Sequence, residues 1–220
     1  MTESLWSPSP GAATFGEIQK GVAGYVLMPT DPEVIDCAGQ GIKRAIDRLN
    51  TRNWNWALGY DDITFVEGQY DYTLNSGFKS ARNFEIWNPS SESVFRLAYK
   101  PWKTFVVEHP SLASQGDPCF YSVMNSNDFG LVTLNAAPST GWIASYPMGR
   151  LLYYRRVQYP SATGTSLGVP SEVVAYIQAA AEGYTADRFA VGKARAAYER
   201  ALEVLRELVK DDNDVQTDWE

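Results

Sequence analysis

The sequence predicts an α+β fold, with helices towards both ends of the chain and an antiparallel β domain, a sandwich or small barrel, inserted between them. Three observations predict it. Apolar residues recur at helical spacing in "PEVIDCAGQGIKRAIDRL" and again in "ARAAYERALEVLRELVK". Between residues 61 and 160 the period drops to two, and turn words such as "NPSSE" and "YPMG" separate short runs. A chain of 220 residues, 45% of them hydrophobic, can bury one good core and a smaller satellite.

Residues 1–29 are rich in Ser, Pro, Gly and Ala without a sustained period, and read as an extended arm. Its Leu5, Trp6, Phe15, Tyr25 and Leu27 would either dock on an adjacent subunit or lie back on their own domain. Residues 30–60 carry the N-terminal helix. Thr30 with Glu33 reads as a capping box, Pro32 suits a first turn, and Val34, Ala38, Ile42, Ala45, Ile46 and Leu49 make one face, ending near Thr51. Gly39 and Gly41 each weaken such a helix by about 1 kcal/mol relative to Ala, which close packing of another backbone would explain.

In the β domain, 61–160, Ile63 and Phe65 alternate before "EGQ" and Tyr70, Tyr72 and Leu74 after it, which reads as a hairpin turned by Gly68. Further strands are expected at "FEIWN", "VFRLAY", "TFVVE", "CFYSVMN", "LVTLN", "WIASY" and "LLYYRRVQY". Trp54 and Trp56, two apart, would face the same way in an extended segment and could stack on sugar rings. Because aromatics bury large areas and favour strands, Trp54, Trp56, Phe65 and Tyr72 are read instead as core, the Trp pair plugging the helix-to-sheet junction.

The C-terminal helices occupy 161–210. Ser171 behind Pro170 reads as an N-cap, and Val173, Val174, Ile177, Ala180, Ala181 and Tyr184 form a stripe, with a bend near Gly183 and Gly192. The last stretch places Ala194, Tyr198, Ala201, Leu202, Leu205, Leu208 and Val209 on one face that must be buried somewhere. Residues 211–220, "DDNDVQTDWE", read as an acidic tail too polar to fold alone, with Trp219 as an aromatic anchor.

Nineteen Lys and Arg against twenty-six Asp and Glu give a net charge of −7, which argues against gripping nucleic acid by its phosphates. The N-terminus lacks a signal-peptide pattern and no apolar run approaches a membrane span, so folding in the cytoplasm and no membrane partner are expected. Cys37 and Cys119 read as buried reduced thiols. "GTSLG" formally matches a nucleophile elbow, but Pro170 interrupts the required helix and the one histidine, His109, lies upstream. His109 reads as a loop or sheet-edge residue. Asp61 and Asp62 are adjacent on a strand and point to opposite faces, which does not suit paired acid-base work. "AGQGIK" lies inside a helix, not at a phosphate-binding turn. No catalytic residue, cofactor or metal is expected.

A helix ending in "AIDRLNTRNWNW", then "ITFVEGQYDYTL", "GDPCFYSV", "YYRRVQYP" and "LGVPSEVVAYIQAAAEGYTADRF" before a charged helix resembles the head-to-tail adaptor (connector) proteins of tailed bacteriophages, over about residues 30–210. The resemblance implies a non-enzymatic virion protein at the head-tail neck, with two long helices building a homo-oligomeric ring, usually about twelve-fold, beneath the portal protein. Such a ring extends the DNA channel, passes DNA without sequence-specific binding, and receives a tail nozzle or tail-tube protein. An acidic chain suits a wall along which DNA must slide. The resemblance places the portal-facing element at Tyr198, Leu202, Leu205, Leu208, Val209, Asp211, Asp212 and Trp219, and implies that truncation near Val209 leaves folding intact while abolishing portal binding. A stopper or nozzle ring of the same neck is the neighbouring reading. A carbohydrate-binding β module, or weak hydrolase, using Trp54 and Trp56 is the alternative from another class.

Overall fold

The computed structural model describes residues 13–75, 77–125 and 130–217. Leu5, Trp6, Trp219 and most of the turn word "NSNDFG" lie outside them. In chain order the elements are α1 (Phe15–Tyr25), α2 (Pro32–Leu49), β1 (Leu58–Thr64), β2 (Asp71–Thr73), β3 (Phe78–Asn88), β4 (Ser91–Arg96) and β5 (Ala98–Tyr99). There follow α3 (Trp102–Glu108), β6 (Gln115–Gly116), β7 (Phe120–Asn125), β8 (Gly130–Leu134), β9 (Ala137–Pro138), α4 (Thr140–Ser145), β10 (Met148–Arg155), α5 (Ser171–Phe189) and α6 (Val191–Thr217). The fold is mixed α/β, with six helices and mainly antiparallel sheets among the described residues, none closing into a barrel. Two compact units emerge: a β unit, Ala57–Arg156, and a helical unit formed by 13–56 and 157–217.

In the β unit, one four-stranded sheet runs β1-β10-β3-β4 and the other β2-β8-β7-β5. Strand β10 is antiparallel to both neighbours, with Leu151 opposite Asp61 on β1 and Phe84 on β3. Alternation sends Ile63, Phe84, Ile86, Leu151 and Tyr153 of the first sheet into the core that Tyr72, Tyr121, Val132 and Leu134 of the second also build. Phe65 and Trp142 complete it, their rings 4.9 Å apart at 71°. The period-two reading of 63–74 therefore holds for faces but fails for pairing. β1 pairs with β10 and β2 with β8, so "EGQ" is a sheet-to-sheet crossover and not a hairpin. Gly68, at φ +76°, still makes the turn.

Two expected strands are helices. In "WKTFVVE" and its C-cap His109, the residues Trp102, Phe105 and His109 stand at i, i+3 and i+7, so a helix stacks them together, at 6.0 Å and 5.3 Å between rings, and buries Phe105 completely. The β-branched Val106 and Val107 that suggested a strand are left exposed. In "TGWIAS" Ser139 caps the turn by accepting from the Trp142 amide at 3.3 Å, and Trp142 carries the burial. Asp61 and Asp62 do face opposite ways. Asp61 is buried and accepts from the Asn75 amide at 2.8 Å, Asn75 Nδ2 at 2.6 Å and the Tyr153 hydroxyl at 3.2 Å, whereas Asp62 takes Arg150 Nε and Nη2 at 2.7 and 2.9 Å on the outside. Burial, followed by the Asp61 charge and its hydrogen bond, pushes the Tyr153 hydroxyl well above the ordinary phenol range.

In the helical unit, part of the expected extended arm is α1. Thr14 and Glu17 close a reciprocal capping box, and Phe15, Ile18 and Val22 recur at helical spacing and are buried. Gly16 and Gly21 between them, with Gly24 beyond, had masked that period. The cap of α2 is Asp31, not Thr30: its carboxylate accepts from the Glu33 and Val34 amides at 2.8 and 3.2 Å. Pro170, not Ser171, sits at the N-cap of α5, without a side-chain cap bond. The break between the last helices falls at Ala190, beyond Gly183 and before Gly192. Cys37 is buried and Cys119 is exposed; both thiols are free. The exposure of Cys119, in the turn before β7, corrects the expectation that both are buried.

Gly41 shows why α2 tolerates a glycine. A Cβ there would stand 3.0 Å from Ala181 Cα and 3.1 Å from the Tyr184 ring, so the α2 and α5 backbones approach through it. At Gly39 the neighbour is the Gln19 side chain, 2.8 Å away, and not a backbone.

Candidate docking groove on the helical unit

Helices α2, α5 and α6 frame a groove of about 350 Å³. Each contributes positions three or four apart, which share one face of a helix. From α2 come Gly41 with Ala45 and Arg44 with Arg48; from α5, Tyr176, Ala180 and Tyr184; from α6, Tyr198, Ala201, Leu202 and Leu205. Small buried residues, Gly41, Ala45 and Ala201, make the floor, while Arg44, Arg48, Tyr198 and Leu202 stand exposed at the rim. Leu202 is 44% exposed and Tyr198 37%, high values for apolar and aromatic side chains on a helix whose Ala194, Ala197 and Ala201 are buried.

The rim is held by specific contacts. The Arg44 guanidinium lies 4.3 Å from the centre of the Tyr184 ring, a cation–π distance. Tyr198 donates its hydroxyl to Asp187 Oδ2 at 2.7 Å, and its ring lies where a Cβ on Gly183 would come within 2.6 Å. Burial, then the bond to Asp187, pushes the Tyr198 hydroxyl up to about 12, so it remains a donor at neutral pH. Below it, the buried Glu182 accepts from Gln178 Nε2 at 2.9 Å and pairs with Arg200, tying α5 to α6. No carboxylate lines the groove, and neither Arg44 nor Arg48 forms an ion pair with a described residue.

The groove gathers three of the residues that the resemblance places at the portal-facing element: Tyr198, Leu202 and Leu205. Val209 is half-buried and Asp211 exposed. Leu208 and Asp212 are turned inward, 8% and 5% exposed. The Asp212 carboxylate accepts from the Asn55 amide at 2.6 Å and from Arg52 at 3.3 Å, and its carbonyl accepts from Asn55 Nδ2 at 2.9 Å. The segment after 210 is therefore no separate tail up to Thr217, since α6 runs through it. A cut at Val209 would remove a buried structural carboxylate, so it is not a neutral test of docking. Asp212→Ala is expected to lower the unfolding free energy by about 2 kcal/mol, through loss of bonds to a charged acceptor. Urea unfolding of the variant checks this; an unchanged midpoint would show that the Asn55 bonds contribute nothing.

Trp54 is 4% exposed, donates Nε1 to the Leu49 carbonyl at 2.8 Å, and stacks on Trp56 with ring centres 6.2 Å apart. Its face is not offered to a sugar. Phe65 and Tyr72 are buried core residues. Sequence reasoning missed Arg44 and Arg48, although two arginines four apart on the polar side of α2 were a readable signal. No group of three or more His, Cys, Asp or Glu side chains among the described residues could hold a metal ion. No helix among the described residues is long and apolar enough to cross a membrane. No protein-family model matches the chain, and neither does any curated protein.

Proposed function

We propose that the chain is a virion structural protein, a head-to-tail adaptor that assembles as a ring under the portal of a tailed phage, extends the DNA channel and receives the tail or nozzle. It acts by docking, without catalysis. One observation carries the reading: the 27-residue α6 keeps Leu202 44% exposed, beside the half-exposed Tyr198 ring, at the rim of a groove of about 350 Å³. Heterologous contacts between identical chains close into rings when the rotation permits, and such a face suits one. The small β unit, with its own core, would present a second docking surface.

Mass measurement of the full chain alone and mixed with the portal protein tests this reading. The expected result is a complex of fixed stoichiometry containing several copies of this chain. Free components at every ratio would exclude the adaptor role.

A further inference from the structure

The rim of the groove is cationic and aromatic on a chain whose net charge is −7. Arg44 and Arg48 are exposed without a described carboxylate partner, and Tyr176, Tyr184, Leu202 and Leu205 supply apolar walls. That combination fits an acidic peptide carrying a large aromatic side chain, because Trp, Tyr and Arg are the side chains that dominate desolvated contacts. This chain contains such a peptide. Residues 214–220, "DVQTDWE", carry Asp214, Asp218 and Glu220 beside Trp219, with no Lys or Arg.

Helix α6 runs on to Thr217, twelve residues past Leu205, so at 1.5 Å per residue it carries residues 214–217 about 14–18 Å beyond the groove of their own chain. A groove occupant that includes residues 214–217 therefore comes from another molecule.

We propose that the groove receives segment 214–220 of a second copy of this chain, with Trp219 between the tyrosines and Leu202 and its flanking carboxylates on Arg44 and Arg48. The inference rests on the ring reading and deepens it, because segment 214–220 of one copy in the groove of the next is a head-to-tail contact that closes a ring. Burial of Trp219 supplies affinity, and the arginine pair sets direction and register.

The test titrates a labelled peptide, DDNDVQTDWE, into the full-length protein. Saturable binding that weakens with rising salt is expected, because the rim charges are exposed. It should fall at least about ten-fold with the Arg44→Glu/Arg48→Glu variant and with a peptide carrying Trp219→Ala. Both arginines are exposed, so the variant should keep the wild-type circular dichroism and a cooperative unfolding transition, with only a small drop in melting point from loss of the Arg44–Tyr184 contact, and Arg44→Gln/Arg48→Gln provides a milder second variant. Binding indifferent to these changes, or absent at millimolar peptide, overturns the proposal. A portal complex that forms normally while the peptide does not bind overturns this inference alone and leaves the adaptor reading standing. Loss of portal binding in the arginine variant, without peptide binding, assigns the groove to the portal and equally overturns it.

Discussion

Phe84→Ala should destabilise the β unit by about 3–5 kcal/mol, the cost of emptying a large, fully enclosed site. Phe84 is completely buried, meets Tyr121 edge-to-face at 5.2 Å between ring centres, and lies 6.2 Å from the Phe65 ring. Strand β10 passes these rings at Gly149, where a Cβ would fall 2.6 Å from Phe84 and 2.7 Å from Phe65. Gly149→Ala alone should therefore cost about 1–3 kcal/mol by overpacking. In the Phe84→Ala background part of that cost should vanish, since one of the two clashing rings is gone and the vacated space lets the Phe65 ring give way. Urea unfolding of the two single variants and the double variant measures the coupling. Strict additivity would mean that β10 does not lie against Phe84 as described.

On the adaptor function proposed above, Leu202→Glu should abolish assembly with the portal or with further copies while leaving the free chain as stable as before. Leu202 is 44% exposed, so a carboxylate there stays hydrated in the free chain and the change in unfolding free energy should remain within about 0.5 kcal/mol. In an assembled interface the same carboxylate would be desolvated without a partner, a cost of several kcal/mol and hence more than a hundred-fold in affinity. Leu208→Ala is the contrasting control. Leu208 is buried on the same helix, so its truncation should lower the melting point by cavity formation before it affects docking. Normal assembly by the Leu202→Glu protein would remove the α6 face from the function.

Long periodic segments were legible and pairing was not. Helices α2, α5 and α6 could be read because their apolar residues repeat over many turns, so that Ile42, Ile177 and Leu208 stand out whatever surrounds them. Short elements lose that advantage. Four or five residues of "TFVVE" satisfy a strand by propensity, and only the burial of Phe105 against Trp102 and His109 decides for a helix. The period of two told which residues of 63–74 face inward but could not name their neighbours, because pairing depends on strands about sixty to eighty-five residues away. At the groove, the α6 stripe was visible while its cationic side was not. Arg44 and Arg48 gain meaning only when α2 and α6 both pack on α5 to frame one groove, and Asp212 changes from tail charge to structural acceptor only when Asn55 is brought to it.

The groove's depth comes from side chains that are missing or minimal, at Gly41, Ala45 and Ala201, and its edge from groups that carry charge. Depth of that origin is insensitive to ionic conditions, because hydrogens and methyl groups have nothing to titrate or screen, whereas the edge softens as salt rises. Capacity and selectivity are thus written in separate residues, so that one can be retuned by exchanging arginines without reshaping the other.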